Sequence, residues 1–395
     1  MPSRLPSFVR DPSTWALYLV LGYYSFVLNT FGAFMPFLRL ELDLSYTQVS
    51  QHSSLFAIGL LLSSLVSDRL AHRFGAKLLI WGGASGMALG LILSMTARSL
   101  AWSLSSFFLI GLFGALALIQ ISSVLAAKHG PNRTRAISEA NVMASFLAVL
   151  APLSIAAAEA LRLGWRVGVG VAPAFLLLLL VVYSRAELPL QKGTEPFRRG
   201  TLPGRYWRHW TTLVLGVAAE FGVMFWAVDF LSSGPFSPAA ASLALSGFLG
   251  TMLLGRMLGT RLANRLEPIP MVLGSLLLAL VSLALYWLGS PLWQVTGILL
   301  AGLGVANIYP YNIALALGTV SGNVSTASAR ISLGAGGAIL LSPIILGAVA
   351  DLTSLKTAQG LLLLILLLAV FNVLALLRSS PDAETRPEES VEMPI

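Results

Sequence analysis

The chain is divided into a series of long apolar segments by short breaks that carry charge, proline, glycine or asparagine. Each segment has about 20 mostly apolar residues, the length that a helix needs to cross the hydrocarbon core of a bilayer. Only 11% of the residues are charged and 56% are hydrophobic, so the chain lacks the polar surface that a soluble protein of this size requires. The sequence therefore predicts an integral membrane protein.

Twelve membrane spans are predicted, and all are expected to be helices because hydrocarbon offers backbone amides no outside partner. The fold class is thus an all-α membrane protein. The predicted organisation is an N-terminal segment 1–14, six spans within 15–185, a basic linker 186–209, six spans within 210–378, and a polar tail 379–395 that is expected to be disordered. The predicted span limits are 15–38, 49–67, 77–97, 100–126, 135–160, 166–185, 210–232, 239–259, 269–289, 292–317, 327–350 and 357–378.

The distribution of positive charge predicts the orientation in the membrane. Most of the 25 Lys and Arg residues fall on the side that carries both chain termini, and the linker is the most basic piece. The positive-inside rule therefore predicts cytoplasmic termini, and the short loops favour a bacterial cytoplasmic membrane. Because topology accounts for the net charge of +8, we expect a lipid bilayer around the protein and no nucleic-acid partner.

The two halves of the chain resemble each other at an offset of about 191 residues. Six spans in each half give parallel repeats, related by an axis along the membrane normal, with a cavity near the midplane between them. The matched residues include Phe31-Gly32 with Phe221-Gly222, Arg69-Leu70-Ala71 with Arg261-Leu262-Ala263, Gly111-Leu112 with Gly302-Leu303, Glu139 with Arg330, and Pro152 with Pro343.

The span count, the repeat and the basic linker resemble the major facilitator superfamily over essentially the whole chain. The segment 68–77, DRLAHRFGAK, looks like the loop signature G-x-L-A-D-R-x-G-R-K of that family. The resemblance implies a monomeric transporter of small molecules and a gating role for Asp68, Arg69 and Arg73. The signature aspartate is replaced by His72 here and by Asn264 in the second half, so a gating interaction would have to use Asp68 and the surrounding arginines. The alternative is that the arginines only orient the loop.

Glu220 is the candidate for proton coupling. It lies about 15 Å into the seventh span at 1.5 Å per residue, near the midplane. A carboxyl group at this depth needs a partner, a water-filled cavity or a function. Glu220 followed by Trp226 resembles the seventh span of fucose-permease-like sugar symporters, which implies a sugar-like substrate. The alternatives are a structural carboxyl for Glu220 and an ordinary core aromatic for Trp226, while Asp229 is expected to be solvated.

Amide and hydroxyl side chains within the spans are the remaining candidates for substrate contact. A polar run surrounds Pro310 in the tenth span, where a bent helix would present polar groups to a cavity. The alternative for this run is helix packing through hydrogen bonds. Such a cavity favours a neutral polar or amphipathic solute over a strongly ionic one. The predicted cavity residues are Asn29, Gln120, Asn141, Trp226, Asn307, Tyr309, Tyr311 and Asn312.

Glu139 and Arg330 carry opposite charges at matched positions of the fifth and eleventh spans. We predict that they gate the inner side by pairing across the two halves when that side is closed. The alternative is that each side chain is hydrated separately.

The sequence offers no chemistry typical of an enzyme. It has no cysteine, only four histidines, and no G-x-S-x-G, H-E-x-x-H or P-loop pattern, so we expect no enzymatic activity, no cofactor and no metal site. We predict a secondary transporter that works by alternating access and is coupled to protons through Glu220. Two alternatives remain open: efflux of small amphipathic compounds or drugs, and a non-transporting membrane sensor on the same scaffold.

Overall fold

The computed structural model describes residues 8–186, 202–262, 265–320 and 324–378. Within these residues, 12 helical segments are long and apolar enough to cross a membrane, which confirms the predicted all-helical fold. The tail 379–395, most of the linker, Asn264 and the side chain of Asp68 lie outside the described residues.

The tenth span, Pro291–Gly318, is formed by two helices, so the described spans comprise thirteen helices. In chain order they are α1 (Pro12–Leu42), α2 (Tyr46–Phe74), α3 (Ala76–Met95), α4 (Leu100–His129), α5 (Arg133–Ala160), α6 (Trp165–Tyr183), α7 (Gly204–Ser232), α8 (Pro238–Leu262), α9 (Pro268–Leu288), α10 (Pro291–Val305), α11 (Ile308–Gly318), α12 (Val324–Leu352) and α13 (Leu355–Arg378).

Several helices extend beyond the predicted spans. Helix α1 begins at Pro12, where Asp11 accepts a hydrogen bond from the Thr14 amide over 2.9 Å and so caps the first turn. Helix α7 begins at Gly204, inside the segment predicted as linker. The reason is physical: hydropathy locates only the part of a helix that lies in hydrocarbon, whereas the helix continues until its backbone is capped.

The interruption of the tenth span lies where Pro310 requires it. Proline has no amide hydrogen, so Pro310 cannot bond to the carbonyl of Ala306, and its ring crowds that carbonyl. Helix α10 ends at Val305 and helix α11 begins at Ile308, two residues before the proline. The bend predicted around Pro310 is thus present as a break between two helices.

Helices α1 to α6 pack with one another, and so do helices α7 to α13. The two halves meet along three helix pairs, α5 with α8, α2 with α12, and α1 with α7. We call the membrane side on which α1 begins and α13 ends the terminal side, and the other the opposite side.

Two glycines allow the halves to approach closely towards the opposite side. A Cβ atom on Gly32 of α1 would lie 1.9 Å from the carbonyl oxygen of Met224 on α7. A Cβ atom on Gly347 of α12 would lie 2.7 Å from the carbonyl oxygen of Tyr46 on α2. Both distances are too short for any larger residue, so the backbones contact each other directly at these crossings.

Candidate functional site

Glu220 of α7 lies close to an arginine inside the bundle. Its Oε1 atom is 3.9 Å from Nη2 of Arg256 on α8. The Glu220 side chain is 11% exposed and that of Arg256 is 39% exposed, so the pair borders a space that solvent reaches. Charged groups at this depth mark ion or substrate paths in membrane proteins.

Arg256 also connects the two halves. Its Nη1 atom donates a 3.1 Å hydrogen bond to the hydroxyl of Ser145 on α5. One guanidinium therefore contacts a carboxylate in its own half and a hydroxyl in the other. Sequence analysis overlooked Arg256, although an arginine within the predicted span 239–259 was a signal that could have identified it.

The polar run in the tenth span holds α8 in place. Asn307 Nδ2 donates to the carbonyl of Gly255 over 2.8 Å, and the Tyr311 hydroxyl donates to the carbonyl of Gly259 over 2.6 Å. Asn307 and Tyr311 lie on one helix face, as predicted, and that face packs against the turn of α8 that carries Arg256. In this conformation both side chains therefore pack helix α11 against α8 through hydrogen bonds, which was the alternative to substrate contact.

The other two members of the run have different surroundings. Asn312 is fully buried and its Nδ2 bonds to the Ile308 carbonyl of its own helix over 2.8 Å. The phenol of Tyr309 is half-buried and close enough to Glu220 for a direct electrostatic interaction. Within this run, Tyr309 is thus the residue that the structure associates with the charged pair.

Asn29 lies in a pocket between the two halves. Its Nδ2 bonds to the Ser25 carbonyl over 2.8 Å, while its buried Oδ1 has no hydrogen-bond partner among the described residues. The cavity volume of the pocket is about 30 Å³, room for about one or two water molecules in this conformation. Aromatic side chains from both halves line it, namely Phe31, Phe56, Phe221 and Phe225. In this conformation Asn29 Oδ1 is buried, so contact between Asn29 and a substrate stays a prediction.

Three other predicted cavity residues have different positions. Gln120 is 1% exposed and donates to the Ser67 hydroxyl over 3.0 Å within the first half. Asn141 is exposed on α5, one turn from Ser145 and on the same face. Trp226 is 1% exposed, and its ring lies 5.6 Å from that of Tyr46 on the other half. In this conformation Gln120 and Trp226 are therefore packed, and Asn141 is accessible.

The opposite side is closed by a charged cluster, which we call the opposite-side gate: Arg39, Tyr46, Asp229 and Asp351. Arg39 of α1 donates two 3.0 Å hydrogen bonds to the carboxylate of Asp229 on α7. The Arg39 guanidinium also lies 4.6 Å from the centre of the Tyr46 ring. Asp351 of α12 accepts from the amides of Tyr46 and Thr47 over 2.8 Å each, and so caps α2 of the other half.

The expectation that Asp229 is solvated is wrong, since the residue is 4% exposed. Asp229 lies near the end of α7, as expected, and this position suggested contact with water at the membrane surface. However, the ends of α1 and α7 meet there, exclude water and supply Arg39 as a counter-ion.

On the terminal side, the acidic groups pair within the first half. Glu139 accepts 2.7 Å bonds from two nitrogens of Arg10 and a 3.1 Å bond from Arg135. Arg330 is exposed, and its backbone carbonyl accepts from the indole of Trp210 on α7 over 2.8 Å. In this conformation Glu139 thus has partners other than Arg330, and the predicted pair remains a prediction for a state that is closed on this side.

Asp11, the residue that caps the start of α1, is a second acidic group on the terminal side. Burial raises the pKa of the Asp11 carboxyl, but hydrogen bonds from Lys128, Thr14 and Ser13 outweigh this effect and hold the pKa well below its usual range. Asp11 therefore fastens the start of α1 to the end of α4.

The segment 68–77, which was predicted as a loop, is helical except for Gly75: α2 continues to Phe74 and α3 begins at Ala76, because a helix continues beyond hydrocarbon until its backbone is capped. Arg69 and Arg73 are exposed, and the guanidinium of Arg73 lies 5.2 Å from the centre of the Phe74 ring. The side chain of Asp68 lies outside the described residues, so a gating role for these three residues stays a prediction.

A model of the Major Facilitator Superfamily matches residues 17–234 and 206–394. The chain belongs to this superfamily. It is a multi-pass membrane transporter and not an enzyme. A stretch of 218 residues, 52% of this chain, is 27% identical to an uncharacterized MFS-type transporter of Yersinia pestis, and it covers 55% of that protein. The match thus spans about half the length of this relative.

Solved structures share the fold at low sequence identity. A bacterial homolog of the human lysosomal transporter Spinster, in an inward-facing and occupied conformation, has a TM-score of 0.80 and 15% identity over 95% of this chain and 98% of that one. The nucleoside transporter NupG has a TM-score of 0.74 and 13% identity, with coverages of 93% and 99%. The peptide transporter POT, in complex with sulfate, has a TM-score of 0.71 and 15% identity, with coverages of 93% and 95%. At these identities the likeness extends to the fold alone.

Proposed function

We propose that this member of the superfamily is a secondary transporter that moves a small solute by alternating access, coupled to protons through Glu220. In this proposal the terminal side is cytoplasmic and the conformation described here is inward-facing. The observation that carries the proposal is the contact of Arg256 with Glu220 in its own half and with Ser145 in the other.

The proposed coupling depends on how Arg256 divides its contacts. An ionised Glu220 attracts the guanidinium towards α7, whereas a protonated Glu220 leaves it free to strengthen its bond to Ser145 on α5. The charge on Glu220 would thus change the stability of the α5–α8 contact between the halves. A proton that binds from one side therefore shifts the population of the two conformations.

The surroundings of Asn29 support a neutral polar or amphipathic substrate. Once the two halves separate and the pocket widens, its unpaired Oδ1 acceptor would suit a hydroxyl or amine donor, and the aromatic side chains around it would suit a ring or another flat apolar group. The names of the similar structures add nucleosides and peptides to the solute classes worth testing.

The substrate class can be identified first by thermal shift. Purified protein is screened against sugars, nucleosides, dipeptides, amino acids, organic acids and cationic dyes, since a ligand that binds only the folded state raises the melting temperature. A sugar or nucleoside hit supports uptake. A hit restricted to lipophilic cations would instead favour efflux of amphipathic compounds.

The solute found in this way is then used in proteoliposomes with a pH gradient of about one unit. One proton per solute gives about tenfold accumulation at equilibrium, because one pH unit corresponds to about 1.4 kcal/mol. We expect Glu220→Gln to lose this accumulation and to keep solute exchange. The exposed Glu267→Gln is the matched control and should accumulate like the wild type. Full accumulation by Glu220→Gln would refute coupling through this residue, and a protein that binds solute without any counterflow would be a sensor.

A further inference from the structure

The seam between α1 and α5 in the first half is closed by side-chain packing. The Cδ1 atom of Leu147 on α5 lies where a Cβ atom on Gly22 of α1 would be only 2.2 Å away. The leucine thus occupies the space that the glycine leaves, and the two helices contact each other directly.

The corresponding seam of the second half, between α7 and α12, is lined by smaller residues. At the repeat offset, Met143, Phe146 and Leu147 of α5 correspond to Gly334, Gly337 and Ala338 of α12. Among the described residues, a Cβ atom on Gly337 would have no neighbour within 4 Å. A groove of about 580 Å³ lies between α7 and α12, with α13 behind it. Trp210 of α7 fills the space beside Gly334, so the opening lies beside Gly337. We call this the α7–α12 groove.

The α7–α12 groove suits hydrocarbon and not water. Its lining is apolar except for Trp210 and Ser342. The Trp210 indole donates to the Arg330 carbonyl and the Ser342 hydroxyl donates to the Ala218 carbonyl, so both polar groups are already satisfied. Water in the groove would therefore find few partners.

The groove opens towards the lipid. Leu341 and Ile345 of α12 and Leu364 of α13 line it and are each 53% exposed, although all three lie in the middle of membrane spans. The lining on α12 runs from Leu333 to Leu346, which is about 20 Å along a helix axis at 1.5 Å per residue. The groove is thus long and narrow, a shape suited to an extended chain.

The same three helices carry a basic cluster on the terminal side. Arg205, Arg208, Arg330 and Arg378 are exposed there, and the stretches 202–218, 324–345 and 361–378 contain no Asp or Glu. Asn372 of α13 donates to the carbonyl of Arg208 on α7 over 2.7 Å, so the ends of α7 and α13 lie side by side. An anionic group near these ends would be attracted by several guanidinium groups.

We propose that the α7–α12 groove binds an acyl chain of an anionic phospholipid, with the phosphate held by the arginines at the terminal ends of α7, α12 and α13. The site lies within one half and faces the bilayer, and Arg330 is the one residue that it shares with the candidate transport and gating residues. Bound lipid would replace the packing that Leu147 supplies in the first half, and so would stabilise the α7–α12 seam.

The test measures lipid binding to delipidated, purified protein by native mass spectrometry and by melting temperature. The probes are phosphatidylglycerol, phosphatidylcholine and inorganic phosphate. We expect phosphatidylglycerol to bind most tightly and to raise the melting temperature. Inorganic phosphate alone should have no effect, because the acyl chain supplies most of the contact.

Two sets of variants separate the acyl groove from the charge. Gly337→Leu fills the groove and should abolish retention of both lipids. Gly336→Leu is its matched control, since this neighbouring glycine also has open space around a Cβ atom but does not line the groove. Arg208→Gln and Arg378→Gln should each weaken phosphatidylglycerol binding about fivefold, at about 1 kcal/mol per arginine, and weaken phosphatidylcholine binding less, because choline offsets the charge of its phosphate. The exposed Arg73→Gln is the control for charge.

Retention of phosphatidylglycerol by Gly337→Leu at wild-type affinity would overturn the proposal. Equal affinity for the two lipids in the wild type would overturn the assignment of the arginines. Displacement of phosphatidylglycerol by the transported solute, with no loss in the arginine variants, would mean that the groove is a substrate path.

Discussion

Removal of Arg39 should open the opposite side. In the closed state, Arg39 donates two 3.0 Å bonds to Asp229, whose side chain is 6% exposed. Truncation of one partner of such a pair costs about 2–5 kcal/mol, since it leaves the other charge buried. Because the Arg39 side chain is 22% exposed, we expect its removal to destabilise the closed state by about 3 kcal/mol. This changes the ratio of closed to open protein about a hundredfold.

This free energy affects only the closed state. When the opposite side opens, Asp229 becomes hydrated and no longer needs a counter-ion. A protein that favours the closed state by about 100 to 1 would therefore populate both states about equally after Arg39→Ala. Arg39→Lys keeps the charge but loses the paired geometry, so its effect should be intermediate.

Distances between spin labels measure this equilibrium directly. The chain contains no cysteine, so labelled cysteine pairs need no background substitutions. One pair, Leu40→Cys with Ser233→Cys, reports on the opposite side, and a second pair, Phe74→Cys with Leu266→Cys, reports on the terminal side. With Arg39→Ala, the first pair should gain a longer distance and the second a shorter one.

Arg166→Ala is the matched control for the gate. Arg166 forms an ion pair with Glu41 near the same end of α1, but both residues belong to the first half. Its removal should leave both distance distributions unchanged. The reasoning is refuted if Arg39→Ala leaves the distances at wild-type values, or if Arg166→Ala shifts them as much.

Three further predictions concern other contacts. Gly32→Ala should open the opposite side in the same assay, because its Cβ atom would lie 1.9 Å from a backbone oxygen of α7, whereas Gly274→Ala, with open space, should not. Glu139→Arg combined with Arg330→Glu should recover part of the transport that each single change loses; a double-mutant cycle without recovery counts against their pairing. The pKa of Asp11 is lower in the folded protein than its value of about 4 in the unfolded chain. Ionised Asp11 therefore stabilises the fold above about pH 4, and this stabilisation is lost as the pH falls further. Between pH 5 and pH 3 the melting temperature of Asp11→Asn should thus fall less steeply than that of the wild type, and parallel curves would contradict this. At pH 7 the substitution should lower the free energy of unfolding by at most about 1 kcal/mol, because the Asp11 side chain is 41% exposed.

The sequence predicted the architecture well because the bilayer restricts what an apolar segment can do. The spans are helical and span ten is interrupted near Pro310, both for reasons local to the backbone. Helix geometry predicts a position near the middle of the seventh span for Glu220, and Arg256 lies within a predicted span by the same reasoning.

The partners of the polar residues could not be predicted in the same way. Arg39 and Asp229 are 190 positions apart, the offset that aligns Phe31 with Phe221, so the repeat places them at matched positions. The repeat does not show that the ends of α1 and α7 meet and exclude water there. Asn307 and Tyr311 were correctly placed on one face. Whether that face meets a cavity or the carbonyls of α8 depends on how two helices cross.

By itself, then, the sequence determined the helices, the repeat and the residues that are costly to bury, because these follow from hydropathy and from local backbone geometry. Only the tertiary structure decided which charges pair, which side of the bundle is closed and where a groove remains. Those properties depend on contacts between segments that are distant in the sequence. Gly337 illustrates the difference: the sequence shows a missing side chain, and only the packing of α7 against α12 shows that nothing in the described chain replaces it.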